Sequence, residues 1–243
     1  MKKLNAFQLK ILALVVMLLD HLYFSFPEIF PAWFHPLSRF VAPLFAFLMV
    51  EGFFYTRNRL KYNIRLFGWA MFMQFGNIII NTICISRNVS VHNNIFMTLA
   101  LGLAILNTFE YIKKIDGIKK CILILMVVIM ILSGVLVEGG ISLIPFIIIT
   151  YLFKNNMKQM IVGYSVLSGL LFFMNFQMYE SVKMTINMMM FNSDFLLITV
   201  IPFISVYNGK RGTNTKWSKY LFYIFYPLHL WILAFLEFVL VGV

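Results

Sequence analysis

The sequence is short of charged residues, and of acidic residues above all. Only 12% of its 243 residues are charged, and only nine are Asp or Glu, whereas a soluble globular domain is about 25% charged. This shortage excludes a soluble globular protein. Cysteine is scarce too, because Cys84 and Cys121 are the only two. They lack the CxxC spacing of metal or redox sites, so we predict neither a disulfide nor a metal ligand there.

Apolar residues make up most of the chain. It is 61% hydrophobic with a mean hydropathy of +0.87, and long apolar runs alternate with short basic segments. This pattern predicts an all-α, polytopic integral membrane helical bundle in the lipid bilayer, with residues 1–243 as a single domain. The net charge of +11 does not indicate nucleic-acid binding, because most of it falls between the predicted helices, where the positive-inside rule expects it.

We predict about nine transmembrane helices with a cytoplasmic N-terminus, because this arrangement places most of the 20 lysines and arginines in the cytoplasm. Two of the apolar runs, residues 141–153 and 195–207, are short for a crossing, since about 20 residues are usual. If both were re-entrant, the number of spans would be seven. The Met-rich residues 178–192 are predicted to lie in the membrane interface.

The first predicted helix, residues 7–26, carries Asp20 and His21 side by side. An ionisable residue at the centre of a bilayer costs about 3 kcal/mol on insertion scales, so protein or water must shield this pair. Arg39 lies near the outer end of the next helix, which runs in the opposite direction. We therefore predict an ion pair between Asp20 and Arg39.

Further polar residues are predicted at similar depth. Asn93 and Asn94 open a helix from the outer side, and His229 lies within the last helix. We expect these residues to surround one polar cavity together with His21. Histidine, with an ordinary pKa near 6.5, suits general-base chemistry at neutral pH. His35 and His92 are predicted to be surface histidines of outer loops, and no metal site is expected because no HExxH-type spacing is present.

The densest basic segment is the predicted loop of residues 56–65, with Glu51 at the end of the helix before it. Such basic loops suit a phosphorylated cytoplasmic ligand or anionic lipid headgroups, and both remain open at this point. Glu51 either neutralises the neighbouring cations or takes part in a site.

The chain resembles the TraX family in four ordered blocks, and between residues 110 and 219 it matches only at Glu138-Gly139. The blocks are residues 9–21 ending in Asp20-His21, 39–66 with Arg39, Pro43, Glu51-Gly52 and Arg57-Asn58-Arg59, 93–102 opening with Asn93-Asn94, and 220–230 with Tyr226-Pro227-Leu228-His229. The family is named for a conjugative-plasmid protein that N-acetylates pilin. It is similar to transmembrane acyltransferases that use cytoplasmic acetyl-CoA.

The resemblance implies a multi-pass acetyltransferase of the bacterial plasma membrane. Its substrates would be acetyl-CoA and an amine acceptor, most simply a peptide N-terminus such as that of pilin. We expect His21 to be the base, Asp20 to hold Arg39 or orient an imidazole, and His229 to be a second base or a hydrogen-bond donor. The remaining expected roles are acceptor or oxyanion positioning by Arg39, Asn93, Asn94 and Glu51, and binding of the CoA phosphates by Arg57, Arg59, Lys61 and Arg65, with Lys210 and Arg211 as further candidates.

Two other functions stay open. One is a transporter or flippase in which Asp20 and His21 relay protons, although the sequence shows no inverted repeat of the kind that many transporters have. The other is a structural component of a conjugation or secretion apparatus. Consumption of acetyl-CoA would separate the enzyme from both.

Overall fold

The computed structural model describes residues 3–213 and 215–240. Within them the regular secondary structure is helical, apart from an isolated parallel bridge between Leu4 and Tyr207. The α-helices in this part of the chain are α1 (Ala6–Ser25), α2 (Phe34–Ser38), α3 (Val41–Tyr55), α4 (Arg59–Cys84), α5 (Ile95–Ile112), α6 (Ile118–Leu132), α7 (Gly140–Leu152), α8 (Met157–Asn175), α9 (Val182–Phe191), α10 (Ile201–Val206) and α11 (Lys216–Leu240). Short 3-10 helices follow α4 (Ile85–Arg87), α6 (Ser133–Leu136) and α9 (Ser193–Val200).

The predicted polytopic helical bundle is confirmed. Among the described residues, seven helical segments are long and apolar enough to cross a membrane. An eighth crossing results if Val182–Phe191 and Ser193–Val206, which are bent by 56° at their break, form one span. The ninth predicted crossing corresponds to α7, which has only 13 residues. The chain is therefore a multi-pass membrane protein with seven or eight helices of spanning length.

The sequence predicted a loop for the basic segment of residues 56–65. In the structure, most of this segment is the beginning of α4. The helix starts at Arg59, and the side chain of Asn58 accepts the backbone N–H of Lys61 at 2.8 Å. Asparagine is a favoured N-cap, and arginine and lysine are good helix formers. The prediction was wrong because charge was taken as a sign of a loop.

The chain divides into two compact units. Unit 1 comprises the described residues of Met1–Phe45, Phe75–His92 and Tyr164–Val243, and unit 2 comprises Ala46–Gln74 and Asn93–Gly163. In unit 1, α1 begins with a reciprocal capping box between Asn5 and Gln8 and packs against α2 and α11. Trp231 of α11 lies against Gly76 and donates its indole N–H to Asn77 at 2.8 Å.

Unit 2 has its core at α5, which packs against α6 and α7. Thr98, Leu103 and Leu106 of this helix are completely buried. Gly102 permits the close approach of α7, because a Cβ there would overlap the side chain of Ile147. Small residues at helix contacts are typical of membrane bundles, where tight van der Waals packing holds the helices together.

Candidate functional site

Asp20 and His21 are neighbours in the sequence but point to different partners. Successive residues of an α-helix are separated by about 100°, so the two side chains leave α1 in different directions. His21 contacts α11 through His229, whereas Asp20 contacts His35 and Arg39. The polar residues around Asp20 and His21 therefore form two groups, a histidine pair and a carboxylate cluster.

The histidine pair links α1 to α11. Nδ1 of His21 lies 2.7 Å from Nε2 of His229, and the rings are stacked with their centroids 4.9 Å apart. Nδ1 of His229 lies 2.7 Å from the backbone carbonyl oxygen of Phe225. His229 is buried, with 6% of its surface exposed. The structure thus brings together the two histidines that the sequence analysis chose as catalytic candidates.

The hydrogen-bond partners determine the proton positions in the neutral pair. A carbonyl oxygen can only accept, so Nδ1 of His229 must carry the proton that is donated to Phe225. Nε2 of the neutral His229 is then an acceptor, and Nδ1 of His21 donates to it. Nε2 of His21 is then unprotonated and carries a free lone pair. It makes no hydrogen bond within residues 3–213 and 215–240.

The carboxylate cluster contains the ion pair predicted from the sequence. Oδ2 of Asp20 is 3.1 Å from Nη2 of Arg39. Arg39 also donates through Nη1 to Asp194 at 3.3 Å. Oδ1 of Asp20 lies 2.8 Å from Nδ1 of His35. Asp20 therefore holds Arg39 and orients an imidazole, as expected, but the imidazole is that of His35 and not of His21.

His35 is buried, and the prediction that it is a surface histidine was wrong. Only 6% of its surface is exposed, because α2 brings it onto α1. Its Nε2 is 2.9 Å from the carbonyl oxygen of Phe191, and its Nδ1 faces the carboxylate of Asp20. Nη2 of Arg39 also lies 3.2 Å from Nδ1 of His35, so Asp20, His35 and Arg39 form one connected cluster. His92 is exposed, as predicted, and contacts Ser90.

His35 and Asp194 could not be assigned to the site from the sequence, because no local spacing marks either of them. Asp194 lies 155 residues from Arg39, and Phe191 lies 156 residues from His35. The one signal in the sequence was the scarcity of acidic residues, since an acidic residue between apolar runs requires a partner.

In unit 2, Asn93 and Asn94 are grouped with Glu138, a residue absent from the predicted site. The carboxylate of Glu138 accepts from the side-chain amide of Asn93 at 2.9 Å and from the backbone N–H of Asn94 at 2.5 Å. The side-chain amide of Asn94 donates to the carbonyl oxygen of Ala70 at 3.0 Å. Thr98 donates to the backbone carbonyl of Glu138. Glu138 thus supplies the acceptor that the N-terminus of α5 requires.

The basic residues predicted to bind CoA phosphates differ in how available they are. Arg59 donates to Glu110 at 2.7 Å, and the guanidinium of Arg65 lies over the ring of Tyr62. Arg57 and Lys61 are exposed. Glu51 lies 3.6 Å from Lys154, which fits the neutralising role.

Glu110 is the centre of a polar network at the end of α5. Besides Arg59 it accepts from Lys113 at 2.8 Å and from the hydroxyl of Tyr151. Lys113 also donates to Tyr151 at 2.7 Å. The hydrogen bond to Glu110, and then that to Tyr151, raises the pKa of Lys113 above its ordinary value. Arg59 and Lys113 therefore both form ion pairs with the carboxylate of Glu110.

Comparison with known sequences places the chain in a family. The sequence pattern of the family described as TraX protein matches residues 6–237. The chain belongs to the TraX family. It is also similar to a protein named "Probable fimbrial assembly protein FimC, serogroup H1" from Dichelobacter nodosus, with 28% identity over 240 residues that cover 95% of this chain and 94% of that protein. No solved structure matches the chain.

No group of three or more histidine, cysteine, aspartate or glutamate side chains within the described residues has the geometry to hold a metal ion. The chemistry available at the site is that of imidazole, carboxylate and guanidinium groups.

Proposed function

We propose that this TraX-family protein is a membrane acetyltransferase. It would transfer the acetyl group of acetyl-CoA to an amine, most simply the N-terminus of a pilin-type subunit. The observation that carries the proposal is the unprotonated Nε2 of His21, backed by His229. Support for a pilin-type acceptor comes from the TraX family and from the relative that is named as a fimbrial assembly protein.

The two imidazoles suit the proton movements of acyl transfer. The neutral amine attacks the carbonyl carbon of the thioester while Nε2 of His21 removes its proton. Nδ1 of His21 passes its own proton to Nε2 of His229, so the positive charge is shared. The new C–N bond forms, the C–S bond breaks, and the proton returns through the same pair to the CoA thiolate. No oxidant or metal is needed for this balance.

The carboxylate cluster would hold the base in place. Asp20 is adjacent to His21 in α1, and its bonds to Arg39 and His35 fix the rotation of this part of the helix. Arg39 would act through Asp20, as a positioning residue. The assignment of Asn93, Asn94 and Glu51 to acceptor or oxyanion positioning remains a proposal, as does the binding of donor phosphates by the basic start of α4.

The amide groups of Asn93 and Asn94 already donate to other groups of unit 2, which weakens them as oxyanion donors. Of the four cations assigned to CoA, Arg57 and Lys61 are the exposed ones. They fit a phosphate contact better than Arg59, whose guanidinium is bound to Glu110.

A transporter with an Asp20–His21 proton relay is the second candidate. Each of these side chains makes its hydrogen bonds to other residues, His21 to His229 and Asp20 to His35 and Arg39. A relay between adjacent residues needs a contact or a bridging water between them. The partners of both groups therefore favour acyl transfer over the relay.

The test uses the full chain purified into lipid nanodiscs, with acetyl-CoA and a peptide carrying a pilin N-terminus. Release of free CoA thiol and mass spectrometry of the peptide measure the transfer. We expect His21→Ala to lower the rate by about 10²–10⁴-fold, the range for loss of a general base. His92→Ala removes an exposed histidine and should leave the rate unchanged. Transfer at the wild-type rate by His21→Ala would refute the mechanism.

A further inference from the structure

Two further cations of unit 1, Lys10 and Arg211, lie near the N-terminal end of α1, whereas the histidine pair lies near its C-terminal end. Lys10 is half-buried, and its ammonium lies over the ring of Phe222 at 5.1 Å. Arg211 lies beside the first turn of α1, because its carbonyl accepts from the N–H of Phe7, three residues before Lys10. Within residues 3–213 and 215–240, neither of them makes an ion pair with a carboxylate.

Backbone hydrogen bonds hold Arg211 beside α1. The N–H of Ala6 donates to the carbonyl of Lys210 at 2.9 Å, and the N–H of Phe7 donates to that of Arg211 at 3.2 Å. Gly212 has a φ of +78°, and a Cβ there would overlap Asn5, the N-cap of α1. The segment thus needs glycine at this position to bring Arg211 to the helix. Because its carbonyls occupy the first N–H groups of α1, these groups are not available to a ligand.

The sequence offers no carboxylate to neutralise these cations at their end of unit 1. Neither residues 1–19 nor residues 195–236 contain Asp or Glu. Elsewhere most half-buried cations have an acidic partner, as Arg39 has Asp20 and Lys154 has Glu51. Lys10 is half-buried and Arg211 is exposed. A half-buried cation without a counterion is costly, and an anion bound between the two residues would offset this cost and their mutual repulsion. The arrangement therefore fits an external anion.

Lys10 and His21 lie on the same face of α1. They are 11 residues apart, which is close to three full turns and a rise of about 16 Å. Both contact α11, where Phe222 and His229 are seven residues, or about two turns, apart. The line of contact between α1 and α11 therefore connects the cations to the lone pair of His21.

We propose that Lys10 and Arg211, in place of the basic start of α4, form the subsite for the diphosphate of the acyl donor. The inference rests on the proposed function, because it identifies the donor as a thioester that carries a nucleotide diphosphate. The pantetheine arm has about 13 bonds between diphosphate and sulfur. Three backbone bonds of an extended peptide span about 3.3–3.6 Å, so an extended arm of this length spans about 15 Å. A phosphate bound at Lys10 thus places the thioester next to His21.

The decisive experiment compares acetyl-CoA with S-acetylpantetheine, which has the same thioester and arm but no phosphate. In nanodiscs of phosphatidylcholine, the wild-type protein should show a lower KM for acetyl-CoA than for the truncated donor. Lys10→Gln and Arg211→Gln should each reduce this preference by about tenfold to a hundredfold, because a hydrogen bond to a charged group contributes about 1.5–3 kcal/mol. Lys10→Arg should restore most of the preference.

Lys219→Gln is the matched control, because Lys219 is another cation at the start of α11 and lies over Tyr220. It should retain the wild-type preference. An unchanged preference in Lys10→Gln and Arg211→Gln would overturn the subsite even if the enzyme is active. A difference that appears only after anionic phosphatidylglycerol is added would assign the cations to lipid headgroups, and that outcome also contradicts the proposal.

Binding of CoA itself separates this inference from the proposed function. If the wild-type protein transfers no acetyl group, the rise in melting temperature with CoA still reports the subsite. We expect a rise in the wild type that is lost in Lys10→Glu and retained in Lys219→Gln. An equal rise in wild type and Lys10→Glu would place the phosphates elsewhere, for example at Arg57 and Lys61.

Discussion

Nδ1 of His21 and Nε2 of His229 lie 2.7 Å apart, which joins the first and last long helices of unit 1. Because Nδ1 of His229 donates to the carbonyl of Phe225, the direction of the hydrogen bond between the two neutral imidazoles is fixed, with His21 as the donor. In the proposed reaction, a proton would move from the substrate to His21 and then to His229. Two histidines that are 208 residues apart in the sequence would then act as one base.

This relationship predicts different effects for two substitutions at position 229. His229→Ala removes the acceptor of the Nδ1 proton, so we expect the kcat of acetyl transfer to fall by about 10²-fold or more. In His229→Gln the amide oxygen can still accept that hydrogen bond but cannot take up the proton. An intermediate kcat with an unchanged KM for acetyl-CoA is expected there. Equal kcat values in wild type and His229→Gln would show that no proton reaches His229.

His35 is expected to contribute to stability through the carboxylate cluster. His35→Ala removes the imidazole that contacts Oδ1 of Asp20 and the carbonyl oxygen of Phe191, and an unsatisfied buried group costs about 1–3 kcal/mol. The melting temperature in detergent should fall. Asp194→Asn is the comparison. About half of the Asp194 side chain is exposed, so loss of its ion pair with Arg39 should cost less than about 1 kcal/mol. The reverse order of the two effects would contradict the cluster as described.

Long apolar runs made most of the fold predictable. The first helix was predicted at residues 7–26 and spans Ala6–Ser25, and the last was predicted to contain His229 and spans Lys216–Leu240. A run of this length has few alternatives to a membrane helix. The ion pair of Asp20 with Arg39 was predictable for a similar reason, since an intramembrane charge needs a partner on a neighbouring helix.

The rest depends on tertiary structure that has no local signature. α2 has five residues and no detectable periodicity, yet it carries His35 into the interior. The contacts of Asp194 and Phe191 with this region join segments more than 150 residues apart. Glu138 was noted in the sequence only as part of the Glu138-Gly139 match, whereas in the structure its carboxylate is bound at the start of α5.

Two glycines of α4 are expected to respond differently to alanine. At Gly76 a Cβ would overlap the ring of Trp231, whereas nothing lies within 4 Å of a Cβ at Gly68. Overpacking costs about 1–3 kcal/mol, so Gly76→Ala should lower the melting temperature and disturb α11, which carries His229. Gly68→Ala should be neutral or stabilising by about 0.5–1 kcal/mol, because alanine favours the helix. Thermal unfolding in one detergent measures both, and a tolerated Gly76→Ala would contradict this packing.

Glu138 provides the last prediction, in unit 2. Glu138→Ala removes the acceptor for the side chain of Asn93 and for the backbone N–H of Asn94, and so leaves the start of α5 uncapped. We expect a loss of about 1–3 kcal/mol in stability, with faster hydrogen exchange in the first turn of α5. Glu28→Ala is the control, because Glu28 is exposed. Glu138→Gln keeps one acceptor oxygen and should lie between the two. If Glu138→Ala instead abolished acetyl transfer at unchanged stability, Glu138 would belong to the catalytic machinery, because a purely capping carboxylate cannot affect the rate without affecting the helix.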